Sequence, residues 1–201
     1  MAPLSRGLEL LESALGYALA SAALVTPPLL SGPTPCAGWD VRTLLAHLGD
    51  SIAVLHQSLA GPGPAVADQA VAGPARPDPD PQPGRGADPV AVLQREAARL
   101  LADCAAAGPA EHRIPVGGHA LAGSIVAVTG ALEITVHGWD VAAACGGPRP
   151  VPPGLAIVLL PVAQLFVPPG TRPGLFAGPV RVPAPAGPGD QLVAFLGRRP
   201  R

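Results

Sequence analysis

Apolar side chains recur at Leu4, Leu8, Leu11, Leu15, Ala18 and Ala22, in steps of three and four. That spacing predicts an amphipathic helix over residues 4–25, ended by Pro27 and Pro28. Gly32-Pro33-Thr34-Pro35 reads as a connector. Asp40 is suited to cap a second helix, whose buried stripe is Val41, Leu44, Leu45, Leu48, Ile52, Leu55 and Leu59. His47 falls at the edge of that stripe, a position that faces a cavity between helices. Residues 61–87 are dominated by Pro, Gly, Ala and Asp and predict a long loop. Asp88-Pro89 then supplies a cap and a first-turn proline. Val92, Leu93, Ala97, Leu100, Leu101 and Cys104 form the stripe of a third helix.

Residues 108–123 read as irregular, with Gly117-Gly118 and Gly123 as hinges. From 124 to 145 two signals conflict. Ile125, Val126, Val128, Ile134 and Val136 are β-branched and favour strand locally. The length, the lack of proline and the Gly146-Gly147 stop favour helix. On a helix, Val126, Thr129, Gly130, Glu133, His137 and Asp140 share one face, so helix is the reading taken. A fifth helix is predicted over 153–166. The Pro-rich tail offers a short strand near Val180 to Val182 and a last helical turn around Gln191 to Leu196. Four principal helices predict an all-α bundle over residues 1–150. Residues 151–201 are expected to add a helix and a C-terminal extension packed on it.

Composition narrows the function classes. Net charge is −1 over 201 residues, so no field draws the chain to nucleic acid. All 13 basic residues are arginine, the mark of a GC-rich genome. Mean hydropathy is +0.36, yet the apolar run from Ile125 to Val136 is interrupted by Thr129, Gly130 and Glu133. It falls short of the roughly 18–20 residues that span a bilayer. Arg6 is followed by Glu9 and Glu12, unlike a signal peptide. A cytoplasmic protein without membrane association is therefore expected. Cys36, Cys104 and Cys145 are odd in number and widely spaced, which argues against disulfides and zinc knuckles. Buried free thiols are the default reading, although Cys36 stands just before a helix start, where a thiolate can be stabilised.

The candidate chemistry lies in Leu44-Leu45-Ala46-His47-Leu48 and in Glu133-Ile134-Thr135-Val136-His137-Gly138-Trp139-Asp140. Glu133 and His137 sit one turn apart on one helix face, where both can reach a single ion. His47 can supply a third ligand by packing against them. Two His and one Glu with positions left open is the pattern of a catalytic metal site. Each element also has a plainer explanation. His47 alone reads as a satisfied, partly buried histidine, and Glu133 with His137 as a hydrogen bond along a helix. Asp140 either fixes His137 from behind or pairs with an arginine or a backbone N–H. Trp139 reads as packing, and Trp39 as cover for the end of the second helix. His56, His112 and His119 read as surface or loop residues.

A wider resemblance runs through the same residues. Pro33-Thr34-Pro35-Cys36-Ala37-Gly38-Trp39-Asp40-Val41-Arg42 with Leu45-Ala46-His47-Leu48 resembles the first signature of the DinB-like, mycothiol-dependent maleylpyruvate isomerase family. Glu133 with Val136-His137-Gly138-Trp139-Asp140 resembles the second. Arg172-Pro173-Gly174-Leu175-Phe176, Asp190-Gln191-Leu192 and Ala194-Phe195-Leu196-Gly197-Arg198 are similar to the C-terminal end of its short actinobacterial metal-binding branch. The resemblance implies a DinB-type four-helix bundle with a short Pro-rich C-terminal extension. It places the family's metal ligands on His47, Glu133 and His137. Zinc is the first choice of metal, with nickel, manganese and iron tolerated by the same donors. Mycothiol is the implied thiol co-substrate. Full-length isomerases carry a further C-terminal domain needed for catalysis, for which about fifty residues stand here. Arg198 is the candidate to bind a substrate anion.

The implied function is a metal- and thiol-dependent transferase or isomerase acting on a small electrophile. A divalent ion with an open position lowers the pKa of a bound thiol and makes it a nucleophile. Sulfur addition across a conjugated double bond leaves a single bond that rotates, and elimination returns the other isomer. Without elimination the outcome is S-transfer. Two alternatives remain on the same scaffold. One is a non-catalytic small-molecule-binding or self-resistance protein; the other is a secondary-metabolism enzyme that dispenses with the thiol. Related bundles can pair through an apolar helix face, so a homodimer joins the expected partners.

Overall fold

The computed structural model describes residues 3–59, 88–108, 112–147, 149–168 and 176–200. Among the described residues six α-helices dominate: α1 (Pro3–Ala22), α2 (Val41–Leu59), α3 (Pro89–Ala107), α4 (Gly123–Ala144), α5 (Pro153–Phe166) and α6 (Pro188–Phe195). A short 3-10 helix covers Pro27–Ser31, and two strands, β1 (Arg113–Val116) and β2 (His119–Ala122), form a hairpin. The fold is all-α in class, as the apolar periodicity predicts. The expected loop over 61–87 lies outside the described residues.

α1, α2, α3 and α4 make the bundle. Leu11 and Leu15 of α1, Leu44, Leu45, Leu48 and Ile52 of α2, Leu93 and Leu100 of α3 and Ile134 of α4 are fully enclosed. Each such side chain contributes roughly 1.5–3 kcal/mol by leaving water. α1 and α4 are the most closely associated pair. Small residues permit this: a Cβ added at Gly138 would lie 3.0 Å from the Cα of Ala18, and one at Gly7 would lie 3.2 Å from the Cβ of Ala127. α4 is apolar nearly all round and is accordingly covered on most sides. By length and composition this 22-residue helix could cross a bilayer, which the interrupted run Ile125–Val136 did not suggest. Its most apolar window is instead 72% buried inside the fold.

Five local expectations are corrected. The segment after α3 is a hairpin, not irregular chain. Gly117 and Gly118 take φ of +53° and +77°, the two-residue turn that matches strand twist, and pair Ile114 with Leu121 and Val116 with His119. Gly123 is the first residue of α4, not a hinge. Val180–Val182 forms no strand; Val180 donates its N–H to the Ala194 carbonyl instead. The first helix ends at Ala22, earlier than residue 25, and Pro27 and Pro28 open the 3-10 turn. The last helix is longer than one turn.

α5 packs against α6 and reaches α4 and α1. α6 ends in a glycine turn. Gly197 has φ of +86°, its N–H bonds to Ala194 O at 3.0 Å, and Arg198 N–H bonds to Val193 O at 2.9 Å. That pair of bonds is the Schellman arrangement. It folds the chain back and sends the Arg198 side chain toward α4.

Candidate metal centre

The first wall of the site is the turn before α2. Thr34 accepts the Cys36 N–H on Oγ1 at 3.1 Å and holds Trp39 O through its own N–H at 3.1 Å. Gly38, at φ +81°, lets the chain close that turn. Asp40 then caps α2, its Oδ1 accepting the Thr43 N–H at 2.8 Å. The cap fixes the start of the helix, and His47 follows two turns later on the side facing α4.

α4 supplies the second wall. His47 Nε2 lies 2.9 Å from Glu133 Oε1, and His137 Nε2 lies 3.0 Å from the same oxygen. The two imidazole rings are 5.0 Å apart and nearly perpendicular, at 87°. One ligand atom from each of the three residues falls within 4.8 Å of the others. A tetrahedral ion with arms of about 2.05 Å has ligand–ligand edges of about 3.3 Å. The donor set, two imidazole nitrogens and a carboxylate oxygen, therefore fits a divalent transition ion in both chemistry and scale.

Exposure grades across the group. The His137 side chain is 6% exposed, that of His47 28% and that of Glu133 42%. The site thus has a closed floor at His137 and opens at Glu133. Trp39 is buried and forms part of the wall, stacked on His137 at 6.2 Å and edge-on to His47 at 4.8 Å. It does more than cover the end of α2.

Behind His137 stands a second set of polar groups. His137 Nδ1 is 3.1 Å from Asp140 Oδ2. Arg198 donates Nε–H to Asp140 Oδ1 at 3.2 Å and Nη2–H to Oδ2 at 2.8 Å. Asp140 thus stands within hydrogen-bond reach of the His137 imidazole and of the Arg198 guanidinium at once. The Cys36 thiol reaches Asp140 Oδ2 at 3.3 Å and lies 3.7 Å from His137 Nδ1. With Nδ1 engaged by a carboxylate, Nε2 is the nitrogen presented to Glu133 and His47.

The electrostatics follow from burial and pairing. Burial raises the Asp140 pKa, but the Arg198 charge and the hydrogen bonds from His137 and Arg198 bring it down to about 2. Partial burial also works against ionisation of Glu133; the charge of His137 and hydrogen bonds from both histidines outweigh it and hold the carboxyl below the usual range. Burial disfavours a charged His137, yet the Glu133 charge and bonds to Asp140, Cys36 and Glu133 keep its proton on well above the ordinary range. Two carboxylates thus converge on His137, and the three facing groups call for positive charge between them, as protons or as a cation.

Residues 11–142 match the family described as mycothiol maleylpyruvate isomerase N-terminal domain. The chain belongs to that family. Membership associates it with mycothiol-related chemistry, and with a thiol and a small molecule as the things it meets. Two similar relatives are the uncharacterised proteins MT0763 and Rv0738 of Mycobacterium tuberculosis, strains CDC 1551 / Oshkosh and ATCC 25618 / H37Rv. Each is 32% identical over 178 residues, covering 86% of this chain and 86% of the relative. No solved structure matches. The match includes all three of His47, Glu133 and His137, together with Cys36, Trp39 and Asp140, and stops short of Arg198.

Other singled-out residues lie elsewhere. Arg198 is committed to Asp140 and, through Nη1, to Leu196 O at 2.9 Å, rather than standing open to an anion. Arg172 to Leu175 lie outside the described residues. His56 is not a lone surface residue; its Nε2 pairs with Asp103 of α3 at 2.5 Å. His119 lies on β2 and His112 just before β1, where its carbonyl accepts the Gly123 N–H at the start of α4 at 2.9 Å; neither joins the groups that converge on Glu133. The Trp39 wall and the Cys36 contact were missed as site features. Their signal was present, since both belong to the same short signature as His47.

Proposed function

We propose that the protein is a metal- and thiol-dependent transferase or isomerase acting on a small electrophile, with mycothiol as the thiol. The observation that carries this reading is the convergence of His47 Nε2, His137 Nε2 and Glu133 Oε1 at one half-open point. These three would hold a divalent ion, zinc by preference, with nickel, manganese or iron compatible with the same donors. When bound, such an ion supplies Lewis acidity that favours the thiolate form of a thiol near neutral pH.

The chain's own groups do the rest. Asp140 keeps His137 oriented through Nδ1, so that Nε2 faces the centre. Trp39 closes the inner side, packed edge-on to His47 and stacked on the buried His137. The exposed side of Glu133 leaves the entrance for thiol and electrophile. There the thiolate sulfur adds to the β-carbon of a conjugated double bond. The π bond breaks, and its electron pair passes to the activating carbonyl and takes up the proton the thiol gave up, leaving a single bond that rotates. Elimination returns that proton and the thiol and restores the double bond. If the adduct then loses the thiol, the net reaction is isomerisation; if it persists, the net reaction is S-transfer.

The test is incubation of zinc-loaded protein with mycothiol and a panel of conjugated electrophiles, followed by mass spectrometry. Adduct or isomer formation that needs both metal and thiol supports the reading. Turnover without thiol, or tight retention of a ligand without turnover, overturns it in favour of one of the two alternatives on this scaffold.

A further inference from the structure

The buried ion pair between Asp140 and Arg198 joins the C-terminal segment to the back of His137. Asp140 is fully enclosed, and the Arg198 side chain is 12% exposed. The guanidinium engages both carboxylate oxygens, Nε on Oδ1 and Nη2 on Oδ2. A two-point contact of this kind fixes the plane of a carboxylate, which a point charge does not. The plane matters here because Oδ2 is also the atom facing His137 Nδ1. Arg198 is itself located by the Gly197 turn at the end of α6 and by its Nη1 bond to Leu196 O.

We propose that Arg198 is a positioning residue for the His137 ligand, acting through Asp140. The C-terminal segment thereby becomes part of the site without reaching the ion or the substrate. The metal-affinity part of the inference rests on the function proposed above; the orientation of the imidazole does not.

The test separates the two. In metal-free protein labelled with 15N-histidine, the ring nitrogens of His137 are assigned by comparison with His137→Ala. They are then followed in Arg198→Met and Arg198→Lys. The expected result is a cooperative thermal transition in both variants, with the His137 ring signals moved in Arg198→Met and moved less in Arg198→Lys. Cobalt(II) titration should show binding weakened about tenfold to a hundredfold in Arg198→Met. Because Arg198 acts through Asp140, Asp140→Asn combined with Arg198→Met should bind cobalt(II) no more weakly than Asp140→Asn alone.

Unmoved His137 signals in a folded Arg198→Met protein would overturn the proposal, as would losses of affinity that simply multiply. If Arg198→Met does not fold, Arg198→Lys carries the comparison, and unmoved signals there are equally fatal. A wild-type protein that takes up no cobalt(II), with His137 signals that still move, supports the role of Arg198 and removes the metal reading.

Discussion

Asp140 Oδ2 stands 3.1 Å from His137 Nδ1, one turn further along the same helix and wholly shielded from solvent. A buried carboxylate is costly unless it is paired. Here His137 and Arg198 pair it from two sides, so its charge is tied to both the site and the fold.

Acid stability should report that tie. The Asp140 carboxyl is depressed from 3.8 to about 2 in the folded chain, with burial opposing and Arg198 and His137 prevailing. A depressed pKa adds stability above the unfolded value, which is lost as pH falls from about 4 toward about 2. The shift corresponds to about 2 kcal/mol. Urea unfolding of metal-free wild type should show a loss across that window, shared with the depressed Glu133 carboxyl, and Asp140→Asn should lose about 2 kcal/mol less. Parallel curves for the two proteins would count against the pairing.

Metal uptake should release protons. His137 keeps its proton well above the ordinary histidine range, and Nε2 must give it up to coordinate an ion. Lower pH therefore opposes binding, and apparent zinc affinity should fall about tenfold per pH unit for each proton displaced. Calorimetry in buffers of different ionisation enthalpy measures the proton count directly. A pH-independent affinity between pH 5 and 8 would contradict the assignment of His137.

Trp39 should sense occupancy. Its ring is 4.8 Å from His47 and 6.2 Å from His137, centre to centre. Cobalt(II) or nickel(II) should quench tryptophan emission in wild type and in Trp139→Phe. Trp39→Phe should lose most of that response while keeping metal affinity within a few fold.

Gly197 should matter to the site from a distance. At φ +86° an L-residue is strained by roughly 1–2 kcal/mol, and an added Cβ would meet Ala177 O at 2.8 Å. Gly197→Ala should lower the melting temperature and weaken metal binding together, because Arg198 is aimed by that turn. A loss of stability with unchanged affinity in the folded protein would show that the turn serves packing alone.

The helices were legible because their stripes are regular. Leu44, Leu45, Leu48 and Ile52 announce α2, and the run without proline decides α4 against its β-branched residues. The hairpin was not legible, since Ile114 and Val116 give only two buried positions and the turn reads equally as a loose Gly-Gly hinge. For the site, one-turn spacing put Glu133 beside His137, and the position of His47 at the edge of its stripe suggested a partner across the bundle. Nothing local could show that Arg198 meets Asp140, 58 residues earlier in the chain. Its charge invited an anion, and only the packing of α6 through the Gly197 turn reveals that the anion is Asp140.

On the function proposed above, His47, Glu133 and His137 hold one divalent ion. The most direct measurement is elemental analysis of purified, zinc-reconstituted wild type beside His47→Ala and Glu133→Ala, with circular dichroism on the same samples. The expected result is about one equivalent of metal in wild type, little in either variant, and helical content retained in all three. Metal-free wild type after reconstitution, or variants that carry a full equivalent, would contradict it.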